Sequence, residues 1–339
     1  MENRKSNFEL LKIVSILMVI LLHYNNSRMG GALGNVIKGS FNYYLVNFTE
    51  SLCIIAVNLF VLITGYFSYK KDKIKVSKVI NLFYQCIIYG ILIYFILVLF
   101  DKIVINKASL LKLRDTIFDR WFILIYSILY LLIPYINKII SSINKNQYKV
   151  LILISTIFFY IWPTIYKNTT IKDSGYGIVN FITLYFIGAY IAKYQDKKIH
   201  KYITIPVYIL CAIITTYLAC NTKINAYAYN QIFNLIGAVS LFLTFKNINI
   251  GSNKIINKLA SYTLSTYIIH ENSLLVSILY KNIFLTTKFY HRKLIIVNMS
   301  YTVLGIFIMC VLIEYIRRLL MKKIDKGIDK IKLEIKAGD

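Results

Sequence analysis

The chain has 339 residues, of which 58% are hydrophobic and only 16% charged, with a mean hydropathy of +0.60. Soluble domains carry about 25% charged and about 45–50% apolar residues, so this composition excludes an ordinary soluble domain and points to an integral membrane protein. The formal charge of +25 would suit a nucleic-acid binder, but the Lys and Arg lie between apolar runs rather than along one basic surface, so no nucleic-acid partner is expected.

A spanning helix needs about 20 mostly apolar residues. Ten segments qualify in chain order: 8–26, 44–68, 79–100, 121–140, 149–165, 178–194, 202–220, 230–246, 259–280 and 294–316. The fifth and eighth are short. The first run ends in Leu21-Leu22-His23-Tyr24-Asn25 rather than in a small-residue cleavage site, so it reads as an uncleaved span. With the N-terminus in the cytoplasm, 25 of the 40 Lys and Arg fall inside and 14 outside, Lys12 lying within span one. That bias favours both termini on the cytoplasmic side of a cell membrane, in an all-α polytopic fold of about ten helices. The outer segment 101–120 is itself basic and reads as the longest outer loop, carrying Arg114 and Arg120.

Residues 1–316 read as one membrane domain and 317–339 as a basic cytoplasmic tail. Leu320, Ile324, Ile328, Ile331 and Ile335 recur along the tail at helical spacing with Lys on the other face. This predicts an amphipathic helix on the anionic inner leaflet, the alternative being a solvated basic tail. The five Cys have neither metal-ligand spacing nor a disulfide pattern and read as small apolar filler, so no metal is expected.

Ionisable residues inside spans are functional candidates because charge in hydrocarbon is costly. Lys12 and His23 are eleven residues apart on the first span, about three turns with a rise of about 16 Å, and so share a face. Lys12 is placed to meet an anionic group from the cytoplasm and His23 to accept a proton deeper in; alternatively each snorkels to its own interface. Glu9, one turn before Lys12, is a partner for it. His270 lies in the ninth span, as a second base, an oxyanion donor or a packing residue. Glu271 follows it, but adjacent helical residues diverge by about 100°, so contact between the two is not required. Asn58 and Asn234 offer hydrogen bonds inside a cavity or between helices, and Gly65 and Gly188 permit close helix approach. Lys75 and Lys78 suit either phosphate binding or positive-inside anchoring. Glu314 in the last span is expected to pair with a neighbouring helix or with Arg317 and Arg318. His200 and His291 fall in loops.

Lys12-x10-His23 resembles the Arg/Lys-x10-His motif in the first span of the membrane acyltransferase-3 family. Asn58-Leu59-Phe60-Val61-Leu62-Ile63-Thr64-Gly65-Tyr66-Phe67 is similar to its NxFxxxSGYF segment. Trp121-Phe122, Tyr126, Tyr130, Pro134 and Asn137 resemble the span-four pattern. Tyr185–Tyr190 is similar to the YFIGAY segment, and Ser261–His270 to the late SxxTxYxxH segment. The five stretches occur in the family's order. Lys12 stands where Arg is commoner and lacks its bidentate fork. Thr64 replaces Ser, Lys75 and Lys78 replace arginines, and the extra extracellular hydrolase-like domain that some relatives append is not expected.

The resemblance implies a ten-span enzyme that O-acylates cell-surface glycans. Acetyl-CoA would be the donor, and a capsular or exopolysaccharide, or its lipid-linked precursor, the acceptor; other polysaccharide-synthesis proteins are then candidate partners. It makes His23 and His270 the catalytic candidates, Lys12, Lys75 and Lys78 the donor-phosphate candidates, and Glu9, Asn58, Gly65 and Glu271 supporting residues. Succinyl transfer to an adhesin polysaccharide, and a polysaccharide flippase or exporter without acyl transfer, are the competing readings.

Overall fold

In hydrocarbon every backbone polar group needs an internal partner, so long apolar runs resolve into helices. The computed structural model describes residues 5–166 and 173–338; Arg4 of the charge count lies outside them. Helix α1 (Ser6–Asn25) is followed by the single turn α2 (Ala32–Asn35). The second span is split at Ile54–Ile55 into α3 (Phe41–Cys53) and α4 (Ala56–Ser68). A short strand, β1 (Lys73–Lys75), precedes α5 (Ser77–Leu99), α6 (Lys107–Phe118) and α7 (Trp121–Ser142).

The fifth span is α8 (Lys145–Thr156), a π-helical turn and α9 (Trp162–Ile165). Helices α10 (Ile178–Tyr194), α11 (Lys201–Asn221) and α12 (Ile232–Asn247) complete the first eight crossings. The chain is an all-α polytopic membrane protein: seven of its described helical segments are long and apolar enough to cross a membrane, and α10 and α12 are shorter apolar helices.

Three segments depart from the sequence expectation. The ninth span is not continuous over 259–280; it is α13 (Lys254–Ala260) and α14 (Thr263–His270), which stops at His270. There the Asn272 side-chain oxygen accepts the Leu274 N–H at 3.0 Å, so a local turn competes with the helix ladder. Residues 101–120 are not simply an outer loop. Asn106 caps α6 in a reciprocal box with Ser109, and α6 folds back along α5, with Tyr94 hydroxyl 2.9 Å from Ser109 Oγ and Ile117 against Gly90. This carries Arg120 into the interior, where it is 5% exposed.

The tail, finally, is not one helix. After α15 (Ile295–Leu320), helix α16 (Lys322–Asp329) ends before Ile331. Strand β2 (Glu334–Lys336) then pairs antiparallel with β1, setting Ile335 opposite the buried Ile74.

The bundle closes where α4 crosses α10. A Cβ on Gly65 would sit 2.3 Å from the Tyr185 carbonyl oxygen, and one on Gly188 would sit 2.3 Å from that of Leu62. Only hydrogen at both positions lets the backbones meet, the small-residue solution of membrane helix packing. At the foot of α15, Glu314 is fully buried. It accepts from Arg317 at 2.7 and 3.0 Å, from Arg318 at 2.6 Å, and from the Tyr89 hydroxyl. Arg317 also reaches Asp325 on α16 at 2.9 Å. Lys5 and Asp329 line one cavity, so the first described residues and α16 lie at the same end of the bundle.

Candidate active site

From the end that carries Lys5 and α16, a cavity of about 490 Å³ runs into the bundle. Lys5, Lys71, Lys78 and Asp329 stand at its mouth. Glu9, Lys12, Ile16 and Val19 of α1 form one wall at helical spacing, opposite Phe60 and Thr64 of α4 and Gln85 of α5. Lys12 donates to Glu9 at 2.7 Å, and its side chain keeps 30% exposure. The ion pair holds the ammonium against the wall without removing it from the cavity.

The deep end is aromatic. Phe122 stacks on Tyr126 with ring centroids 5.6 Å apart, meets Tyr267 edge-on at 5.3 Å, and faces Phe60 at 6.4 Å. Thr64 Oγ1 lies 3.2 Å from the Tyr126 hydroxyl. These rings line the cavity together with Val19, which lies one turn short of His23 on α1.

His23 and His270 meet just beyond this collar. His23 Nδ1 and His270 Nε2 are 3.0 Å apart, and the other nitrogen of His270, Nδ1, is 2.5 Å from the Thr266 carbonyl oxygen. A carbonyl can only accept, so the proton of neutral His270 sits on Nδ1 and its Nε2 is an acceptor. His23 then donates through Nδ1–H, which leaves its Nε2 lone pair free to take a proton. His270 is completely buried, whereas His23 is half-buried. The helix makes this geometry: Thr266 and His270 are four residues apart on α14, so a ring at the last helical position reaches back to the carbonyl one turn below.

Glu271 does not orient His270. Its carboxylate pairs with Arg120 Nη1 at 3.5 Å, and Arg120 Nε donates to the Thr116 carbonyl at 2.6 Å. Arg120 Nη2 is buried without a hydrogen-bond partner. The loop leaving α14 is also tied to α6 by the hydroxyls of Thr116 and Ser273. Helix α6 thus braces the end of the helix that presents His270. At the far side, Asn25 Nδ2 donates to the buried Glu50 at 3.1 Å.

Of the residues singled out in the sequence, the fold brings His23 to His270 and lines the cavity with Glu9, Lys12 and Lys78. Lys75 is exposed on β1, outside the cavity lining. Asn58 is fully buried and donates to the Tyr229 carbonyl at 3.0 Å, a tie between elements. Gly65 serves the crossing with α10. Asn234 donates to the Ala226 and Ala228 carbonyls at 3.0 and 2.8 Å, holding the turn before α12. His200 and His291 are exposed.

Arg120, Glu50 and Lys71 were not singled out in the sequence. Arg120 looked like loop charge because α6 carries Lys107, Lys112 and Arg114 and lacks a clean apolar stripe. Glu50 had a signal, a carboxylate in an otherwise apolar span. Lys71 had none beyond its place in a basic run.

Two features thus converge: a cavity entering beside cations and ending under an aromatic collar, and a histidine pair with one free basic nitrogen beyond it. The sequence agrees. The profile of an acyltransferase domain matches residues 5–316. Comparison with curated proteins and with solved structures gives no match to this chain. With more than nine-tenths of its length inside the match, the chain belongs to the acyltransferase-3 family and is a membrane acyltransferase.

Proposed function

We propose that this acyltransferase moves acetyl from cytoplasmic acetyl-CoA to a hydroxyl of a cell-surface polysaccharide or its lipid-linked precursor, in the plasma membrane with both termini inside. The observation that carries the reading is the alignment of Lys12, Ile16 and Val19 along the cavity, with His23 one turn further on the same face. Lys78 and Lys71 at the mouth suit the donor's phosphates, with Lys12 deeper. The narrow aromatic end suits an acyl thioester and keeps water from the reacting carbonyl.

His23 Nε2 takes the proton of the acceptor hydroxyl as its oxygen attacks the thioester carbonyl carbon. The carbon–sulfur bond breaks as the tetrahedral intermediate collapses, and the leaving thiolate recovers the proton from His23. While His23 is protonated, its Nδ1–H donates to His270 Nε2, which spreads and stabilises the charge. His270 is therefore a positioning residue, locked in its tautomer by the Thr266 carbonyl.

Proton NMR of purified surface polysaccharide tests this in a wild-type strain, a deletion, and the deletion complemented with wild-type or His23→Ala protein. Acetyl signals should vanish on deletion, return with wild type and stay absent with well-expressed His23→Ala, at steady polymer yield. Unchanged acetyl per repeat with less polymer at the surface would make the protein an exporter instead. Succinyl signals that follow the same pattern would reassign the acyl group.

A further inference from the structure

The donor cavity keeps its cations at one end. Among the described residues of its lining, every lysine stands at Lys12 or nearer the mouth. Lys12 itself is two turns, about 10 Å, short of Val19 along α1. Where the lining runs out along the other helices it is mostly apolar: Val57 and Phe60 on α4, Phe122 on α7 and Tyr267 on α14. Gln85 of α5 also lines the cavity, but both ends of its amide are engaged. Its Nε2 donates to Asn81 and its Oε1 accepts from Ser265, each at 2.9 Å. Thr64 Oγ1 donates to the Phe60 carbonyl at 2.9 Å. The Tyr267 hydroxyl lies toward Glu271. Arg120 stands outside the lining and pairs with Glu271 at 3.5 Å.

Phe122 is the centre of this apolar wall. Its ring meets Tyr267 at 5.3 Å, Tyr126 at 5.6 Å and Phe181 at 6.0 Å between centroids, and Phe181 is itself fully buried. A ring held from three sides does not swing aside. Room for further methylenes at the wall would have to be made in a close-packed interior, at a cost in strain. A carboxylate pressed against the same wall would lose its water without gaining a counter-charge.

We propose that this wall selects the acyl group of the donor: it takes a short, uncharged acyl chain and rejects a dicarboxylic one such as succinyl, with Phe122 and Phe60 setting the length. The inference rests on the proposed use of the cavity for an acyl-CoA donor, and it names the class of acyl group that the cavity takes. The cations near the mouth meet the part of the donor that all CoA esters share, so they add affinity without discrimination. The wall meets the part that differs, and discrimination is a difference between two such fits.

The test titrates full-length protein in nanodiscs, without acceptor, with free CoA, acetyl-CoA, butyryl-CoA and succinyl-CoA, and reads each Kd by calorimetry. Wild type should bind butyryl-CoA and succinyl-CoA each about tenfold or more weakly than acetyl-CoA. Phe122→Ala should remove most of the butyryl penalty and leave the succinyl penalty in place, because the space it opens is still apolar. Phe60→Ala, at a half-buried position, is the second variant and should act in the same direction. Free CoA should bind both variants as it binds wild type, which shows that they are folded. The proposal is overturned if wild type binds butyryl-CoA or succinyl-CoA as tightly as acetyl-CoA, or if neither variant reduces the butyryl penalty. If wild type binds free CoA and every ester alike, the wall selects nothing and only this proposal falls. If no CoA species binds wild type, the donor assignment itself fails and takes the proposal with it.

Discussion

Replacing His270 with Leu removes the acceptor for His23 Nδ1–H while keeping an apolar side chain in a fully buried position. The lost contact is the 3.0 Å approach between the two rings, and it matters most when His23 carries the proton. Hydrogen bonds to charged groups contribute about 1.5–3 kcal/mol. At about 1.36 kcal/mol per factor of ten, His270→Leu should slow acyl transfer by about 10- to 150-fold. His270→Gln offers an amide oxygen in nearly the same place and should recover most of that loss. His23→Gln removes the base itself and should cost about 10²–10⁴-fold. The assay is the rate of acyl incorporation into surface polysaccharide in labelled cells, at matched membrane levels of each protein. Wild-type rates with His270→Leu would refute the positioning role. If both His270 variants fell as low as His23→Gln, His270 would itself be the base and the tautomer argument would be wrong.

Gly188→Ala and Gly65→Ala should each lower the thermal midpoint in detergent, because the added carbon meets a backbone carbonyl at 2.3 Å; overpacking of this kind costs about 1–3 kcal/mol, and an unchanged midpoint would mean the helices part easily. Arg120→Gln leaves the Glu271 charge buried beside α14 and should destabilise the protein more than the Arg120→Gln/Glu271→Gln pair does; equal losses in thermal scans would show that the two do not couple. Glu314→Gln strips the carboxylate from Arg317 and Arg318 and should free α16, seen as faster proteolysis after Leu320, whereas wild-type cleavage would detach the tail from this cluster. Lys78→Gln should raise the KM for acetyl-CoA about tenfold with kcat little changed, since a phosphate contact far from the reacting carbonyl contributes to uniform binding; a fall in kcat alone would move Lys78 out of the donor site.

The sequence by itself determined the apolar helices of every expected crossing but the ninth, because the demand for backbone hydrogen bonds in hydrocarbon is local and length-dependent. It also placed Lys12 and His23 on one face of α1, since helical periodicity fixes their relative direction without reference to any other element. The Glu9–Lys12 pair and the contacts of Glu314 with Arg317 and Arg318 were legible for the same reason: the partners lie three or four residues away. The meeting of His23 with His270 needed the packing of α1 against α14, 247 residues apart in the chain. The carboxylate beside His270 suggested an imidazole partner, but only the fold showed that Glu271 turns to Arg120 and that a carbonyl one turn back sets the tautomer. Arg120 was hidden because α6 reads as basic loop until it folds back onto α5. The tail carried a helical apolar pattern to its end, yet burying Ile335 against Ile74 drew its last residues into a strand. Periodicity records which residues share a face within one element. Which faces meet, and which charges are thereby buried or paired, is decided by contacts far apart in the chain.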